Sequence, residues 1–137
     1  MQEPSTITVR VRYAETDQMG VVYHSNYFVW FEMGRVECLR QLGFDYKQME
    51  IADDCHLPVV EATCRYKAPA RYDEILTIET RIVALRSGVI KFSYRLLRDD
   101  APQLLAEAQT THIVVDGRMQ KRVLPEKYLT AILSQLG

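Results

Sequence analysis

Between Asn26 and Leu42 the apolar side chains Tyr27, Phe28, Trp30, Phe31, Met33, Val36, Leu39 and Leu42 recur at three- and four-residue spacings, and Gly43 follows as a stop. The spacing predicts one helix. Its first half is apolar nearly all round, and about 17 residues at 1.5 Å each span roughly 25 Å, close to the diameter of a small domain. A helix of this kind has to be central and covered on most sides by the rest of the chain.

Most of that remainder reads as strand. Ile7, Val9, Val11 and Tyr13 alternate with Thr8, Arg10 and Arg12, the period-two pattern of a strand with one buried face. Four similar runs follow the helix. Val60, Ala62, Cys64 and Tyr66 alternate with polar neighbours, as do Leu76, Ile78 and Ile82, then Ile90, Phe92, Tyr94 and Leu96, then Ala106, Ala108, Thr110, His112 and Val114. Ser87-Gly88, Asp99-Asp100-Ala101-Pro102 and Asp116-Gly117 are turn signals that make neighbouring strands antiparallel hairpins. Pro125 opens a short terminal helix, Glu126 to Leu136, while Ala14 to His24 has no helical period and reads as a structured loop.

Without a repeated strand–helix alternation, a doubly wound parallel sheet is excluded and an α+β fold is expected. One curved antiparallel sheet of about five strands wrapped round the long helix buries most of these apolar faces. Both sheet edges stay open in that arrangement, and pairing with a second copy is a natural way to protect them.

With 137 residues, 47% hydrophobic and 26% charged, the chain has the size and balance of a single domain spanning residues 1–137. Its 17 basic and 18 acidic residues leave a formal net charge of −1, so no global field recruits nucleic acid or an anionic membrane. No window has the ~18 unbroken apolar residues of a membrane span, and Met1-Gln2-Glu3-Pro4 lacks the start of a signal peptide, so a cytoplasmic protein is expected. Cys38, Cys55 and Cys64 are odd in number and form no C-x-x-C pair; reduced structural thiols are the default.

The segment from Tyr13 to Tyr27 gathers a carboxylate, Asp17, a glycine, Gly20, and a helix N-terminus. Acyl transfer needs these parts. A thioester carbonyl under attack becomes an oxyanion, which the free N–H groups and dipole of a helix's first turn can hold. Glycine permits close approach of the backbone to a ligand, and a carboxylate can attack the carbonyl carbon or take a proton from attacking water. Taken alone, an aspartate in a loop is more often a turn or capping residue.

Tyr13 to Arg35, written Y-x-E-T-D-x-x-G-V-V-Y-H-x-N-Y followed by F-x-W-F-E-x-x-R, resembles the signature of the 4-hydroxybenzoyl-CoA thioesterase family of hotdog proteins. Arg65-Tyr66-Lys67-Ala68-Pro69 and Tyr72-Asp73 extend the resemblance, and the strand order carries it over the whole domain. The resemblance implies a hotdog fold and hydrolysis of an acyl-CoA, without metal or other cofactor, in a homodimer or homotetramer whose active sites lie at a subunit interface. It assigns Asp17 as nucleophile or general base and the backbone N–H of His24 as donor to the thioester oxygen. Gly20, Val22, Tyr23, Asn26 and Tyr27 are carried with them as residues at the substrate, Gly20 keeping the loop turn and Tyr23 and Asn26 ordering the loop and the helix start. A second branch of hotdog thioesterases places its carboxylate on the central helix, where this chain has Glu32 and Glu37. Glu32 is read first as a loop-ordering residue paired with Arg35 at i+3, and as the alternative catalytic carboxylate.

The plainer readings stand beside these. A histidine at a helix entrance usually bonds only local backbone, so the His24 amide is favoured over its ring. Ser25 lacks a G-x-S-x-G setting and reads as a cap, while His56 and His112 have no metal-motif spacing and read as packing or surface residues. Tyr27, Trp30 and Phe31 fit plain core as well as an acyl pocket. Arg65, Lys67, Arg71, Arg86 and Lys91 are candidates for the CoA phosphates, and Arg86 and Lys91, flanking the Ser87-Gly88 turn, come first. The competing function is a non-catalytic module that binds acyl-CoA or acyl carrier protein, since fold does not fix chemistry; a hydratase acting on an acyl thioester is a third option.

Overall fold

A computed structural model describes residues 3–100 and 103–136. Strand β1 (Ser5–Arg10) leads through a single 3-10 turn, Tyr13–Glu15, to the long helix α1 (Asn26–Gln41). A short helix α2 (Tyr46–Ala52), four strands β2 (Val59–Tyr66), β3 (Ile75–Arg86), β4 (Val89–Arg98) and β5 (Gln103–Ile113), and helix α3 (Glu126–Leu136) complete the order. The first strand thus stops three residues before Tyr13, and α2 is an element the periodicity does not announce. Ala101 and Pro102 of one expected turn, and Met1 and Gln2 of the chain start, lie outside the described residues.

The five strands form one antiparallel sheet in the order β1-β3-β4-β5-β2. Its β3–β4 hairpin closes on Ser87 and Gly88, both left-handed with φ of 50° and 77°, which is the backbone a two-residue turn between twisted strands requires. Leu76, Ile78 and Ile82 of β3, Ile90, Phe92, Tyr94 and Leu96 of β4, and Ala106, Ala108, Thr110 and His112 of β5 point to one buried face. Helix α1 lies on that face through Tyr27, Trp30, Phe31, Gly34, Arg35, Cys38 and Leu39. At Gly34 the two layers meet closely: a Cβ there would sit 2.5 Å from Thr80 Oγ1.

Helix α1 ends where Gly43, at φ 93°, turns the chain, and the amides of Gly43 and Phe44 donate back to Arg40 and Leu39. Contrary to a helix covered on most sides, Val29 and Met33 on its outer face are 51% and 46% exposed, and so are Val59, Val60 and Tyr66 along the edge strand β2. The expected Glu32–Arg35 pair also gives way. Glu32 is solvated, while Arg35 turns inward and donates from Nη1 to the Tyr94 hydroxyl at 3.1 Å, because the i+3 neighbour lies on the exposed side of the helix and Tyr94 lies under it.

That contact begins a buried chain. The Tyr94 hydroxyl lies 2.6 Å from Thr110 Oγ1, which lies 2.8 Å from His112 Nε2, and His112 Nδ1 lies 2.8 Å from the Leu57 carbonyl oxygen. Its two ends fix the outer directions. Arginine can only donate and a carbonyl can only accept, so Arg35 donates to Tyr94 and His112 donates from Nδ1 to Leu57; with the imidazole neutral, Nε2 then accepts from Thr110 and Thr110 accepts from Tyr94. Burial, helped by the Arg35 charge, pulls His112 down from 6.5 to about 4.

Candidate active site

The segment after β1 is organised by Glu15, which is only 5% exposed. Its carboxylate accepts the Arg12 amide at 2.8 Å, Arg12 Nη2 at 3.3 Å and the indole N–H of Trp30 at 3.0 Å. Its carbonyl accepts the Tyr23 amide and Asn26 Nδ2, each at 2.9 Å. The two ends of the loop therefore meet at one residue, where α1 begins.

Within the loop, Thr16 and Val22 form an isolated antiparallel bridge, and the Asp17 amide donates to the Val21 carbonyl at 2.9 Å. The Gly20 amide returns to the Asp17 carbonyl at 3.0 Å, and Gly20, at φ 79°, supplies the left-handed backbone that a side chain would strain. Asp17 Oδ1 accepts the Met19 amide at 2.9 Å, which sets the carboxylate's orientation; among the described residues Oδ2 accepts no hydrogen bond. The Val22 amide bonds the Ala70 carbonyl at 2.8 Å and ties the loop to the β2–β3 connection.

Asp17, Met19, Val21, Val22, His24, Tyr27, Tyr66, Lys67, Ala68 and Pro69 line an open cleft of about 320 Å³. Tyr66 reaches across from β2 and donates its hydroxyl to the His24 carbonyl at 3.0 Å, and its ring packs edge-on against Tyr27 at 4.8 Å. Burial raises both phenols above their ordinary value. No acceptor among the described residues engages the backbone N–H of His24 or Ser25, the two residues before α1, whereas the amides of Asn26, Tyr27 and Phe28 bond the Tyr23, His24 and Ser25 carbonyls, so the donors free for an anionic atom stand at the helix entrance.

Of the residues singled out in the sequence, Asp17, Val22, His24 and Tyr27 share the cleft wall, while Gly20 makes its turn and Asn26 anchors the helix start to Glu15. Tyr23 is exposed, with its ring 4.4 Å from that of His24. Ser25 is the residue before α1, without a capping bond from its side chain. Glu32 lies outside the cleft lining. Arg86 and Lys91 belong to the opposite end of the sheet, since the rung joining Leu76 and Arg98 stands near the loop and the rung joining Arg86 and Val89 stands some nine residues away, about 30 Å along a strand. Lys67 does line the cleft, and its Nζ pairs with Glu107 Oε1 at 3.4 Å. Sequence reasoning gave no role to Glu15, Met19 or Tyr66; the first and last stand inside quoted motif stretches, which is the signal that marks them.

Cys38, Cys55 and Cys64 are free thiols raised by burial, Cys38 to about 11. Among the described residues no three His, Cys, Asp or Glu side chains gather as a metal-sized group, and no helix is long and apolar enough to cross a membrane.

A curved antiparallel sheet on a long helix, with a carboxylate loop leading into that helix, defines a hotdog protein of the thioesterase kind. The solved DHNA-CoA thioesterase of Staphylococcus aureus superposes with a TM-score of 0.90 at 28% identity, covering 95% of this chain and 89% of that one. The 1,4-dihydroxy-2-naphthoyl-CoA thioesterase Slr0204 of Synechocystis does so at 0.85 and 27%, covering 93% and 94%. The acyl-CoA thioester hydrolase YbgC of Escherichia coli is 38% identical over 119 residues, 86% of this chain and 87% of that protein. Residues 11–133 match the thioesterase-like superfamily, and the chain belongs to it.

Proposed function

We propose that this protein hydrolyses an acyl-CoA to the free acid and CoA, with Asp17 as the working carboxylate. The observation that carries the reading is the cleft wall shared by Asp17 and His24, the latter with an unclaimed amide at the start of a 16-residue helix. The His24 N–H holds the thioester oxygen as it gains charge, and the α1 dipole adds to it. Asp17 either takes a proton from water that attacks the carbonyl carbon, or attacks that carbon itself to give an anhydride that water then opens. In both routes the C–S bond breaks and the leaving thiolate takes up a proton. Val22, Tyr27 and Tyr66 stand beside the acyl group, and no metal or other cofactor is called for.

The relatives named as acyl-CoA thioester hydrolases support this substrate class. The reading extends to a second copy of the chain. Two-fold pairing along the open β2 edge would cover Val29 and Met33 and bring the Ser87–Gly88 end of one subunit beside the Asp17 end of the other. Arg86 and Lys91 then reach the CoA phosphates across the interface, an arrangement that suits a soluble, cytoplasmic homodimer or homotetramer. Acyl carrier protein is the other carrier that such a surface accommodates.

The test is thiol release from a panel of CoA thioesters of varied chain length and aromaticity by the wild type, Asp17→Asn and Glu32→Gln. We expect Asp17→Asn to lose about 100-fold or more in turnover while remaining folded, and Glu32→Gln to stay close to wild type. Full activity of Asp17→Asn, or its loss in Glu32→Gln alone, reassigns the carboxylate. Binding without release on every thioester establishes a binding module instead.

A further inference from the structure

We infer that Glu15 is a positioning residue for this reaction: its buried carboxylate fixes the Asp17 loop against α1, so that Asp17 and the His24 amide share one cleft. The inference rests on the thioesterase reading above. Asp17 itself is two residues from Glu15 and is held by bonds inside the loop, to Val21, Gly20 and Met19. Those bonds set its orientation within the loop and leave open where the loop sits. The Val22 amide ties the loop to Ala70 on the β2–β3 side, and on the α1 side its placement comes from Glu15, whose side chain gathers Arg12 on one side and Trp30 on the other, and whose carbonyl takes Tyr23 and Asn26, the residues flanking His24 and Ser25. One residue therefore registers the carboxylate loop and the oxyanion donors to each other. The cleft's far wall, Tyr66, Ala68 and Pro69, comes from β2 and the segment after it and owes nothing to the Glu15 bonds.

The carboxylate's surroundings explain why an isostere fails. Arg12 N–H meets Oε1, while the Trp30 indole N–H and Arg12 Nη2 meet Oε2, so every neighbour is a donor. Glutamine has the same shape but must turn its NH2 toward one of these donors. Relief comes from removing the donor it faces, and Trp30 is the single tryptophan of the chain.

The experiment compares wild type, Glu15→Gln, Trp30→Phe and the double variant, measuring thermal unfolding and steady-state thiol release from one CoA thioester that the wild type hydrolyses, below each variant's melting temperature. Misplacement of a reacting group by about 1 Å costs up to about 100-fold in rate, so we expect Glu15→Gln to lose about 30-fold in kcat with KM within about threefold. Trp30→Phe should lose about threefold in kcat, and the double variant should exceed Glu15→Gln because the buried indole N–H no longer opposes the new NH2, while the Arg12 side chain, 73% exposed, can swing away from it. Wild-type kcat in Glu15→Gln, a KM effect without a kcat effect, or a double variant no better than Glu15→Gln overturns the inference. If Glu15→Gln does not fold, Trp30→Phe decides: a kcat loss at constant KM supports it and an unchanged kcat overturns it. Asp17→Asn, run in parallel, separates the two readings. An inactive Asp17→Asn beside a fully active Glu15→Gln removes only the role of Glu15, whereas an active Asp17→Asn removes the thioesterase mechanism itself.

Discussion

Two buried polar assemblies hold α1, one around Glu15 and one around His112, and they differ in reach. The first is made of hydrogen bonds that each span no more than 15 residues, among Arg12, Glu15, Tyr23, Asn26 and Trp30, and lies where the loop enters the helix. The second joins Arg35 to Tyr94 and His112 to Leu57 across separations of 59 and 55 residues, and lies in the middle of the core. Local closure orients a cleft; distant closure locks a helix onto a sheet. Damage to the first should therefore appear in turnover, and damage to the second in stability.

The sharpest way to break this contrast is Tyr94→Phe. It leaves the buried Arg35 guanidinium without its acceptor and Thr110 without its donor, and should cost about 3 kcal/mol in urea unfolding while kcat per folded molecule changes less than about twofold. A kcat loss without a stability loss would merge the two assemblies into one.

Acid provides the next test. The folded protein holds His112 down to about 4, whereas the unfolded chain takes up the proton near 6.5. The His112 contribution is complete above pH 6.5, declines as pH falls through the interval, and is gone below about 4, because the unfolded state binds more protons there. Urea midpoints of wild type and His112→Gln, measured at pH 7 and at stepwise lower pH, should converge over that window; parallel curves would count against a neutral buried imidazole.

Arg35→Met should do less than Tyr94→Phe despite removing a charge, since it takes the donor and its desolvation cost away together and leaves only an acceptor short; a change within about 1 kcal/mol is expected by urea titration. Smallest is Arg10→Ala. Its pair with Asp73, at 3.3 Å, has partners 58% and 61% exposed, and the expected loss in a urea titration is no more than about 0.5 kcal/mol.

Those differences in reach also explain what was legible in the chain. The α1 periodicity set Tyr27, Trp30, Phe31 and Leu39 on one apolar run, and the observed helix Asn26–Gln41 agrees with the expected span to one residue. Helix α3 agrees at both ends, and β1, β3, β4 and β5 bury alternate side chains as their patterns predict, whereas the edge strand β2 is exposed on both faces along nearly its whole length. Helix α2 leaves no signal in the sequence because seven residues capped by Asp45 carry too little periodicity. The expected first strand runs on to Tyr13 because Val11 and Tyr13 continue the alternation, while in the fold it stops at Arg10 and Glu15 draws the backbone into a 3-10 turn. At the site, Asp17, Gly20 and His24 were readable as a contiguous stretch. Tyr66 arrives from 42 residues away, through a hydrogen bond to His24 that no local pattern encodes. Arg35 misled for the same reason: spacing offered Glu32, and tertiary burial chose Tyr94.

The closure of the loop on Glu15 has a consequence for how such a chain can diversify. Because the Glu15 carbonyl grips Tyr23 and the Thr16–Val22 bridge lies just inside, the count of residues between them is a fixed measure. An inserted residue would have to bulge into the cleft. Diversification of this pocket must come from exchanging side chains such as Met19 and Val21 rather than from changing length.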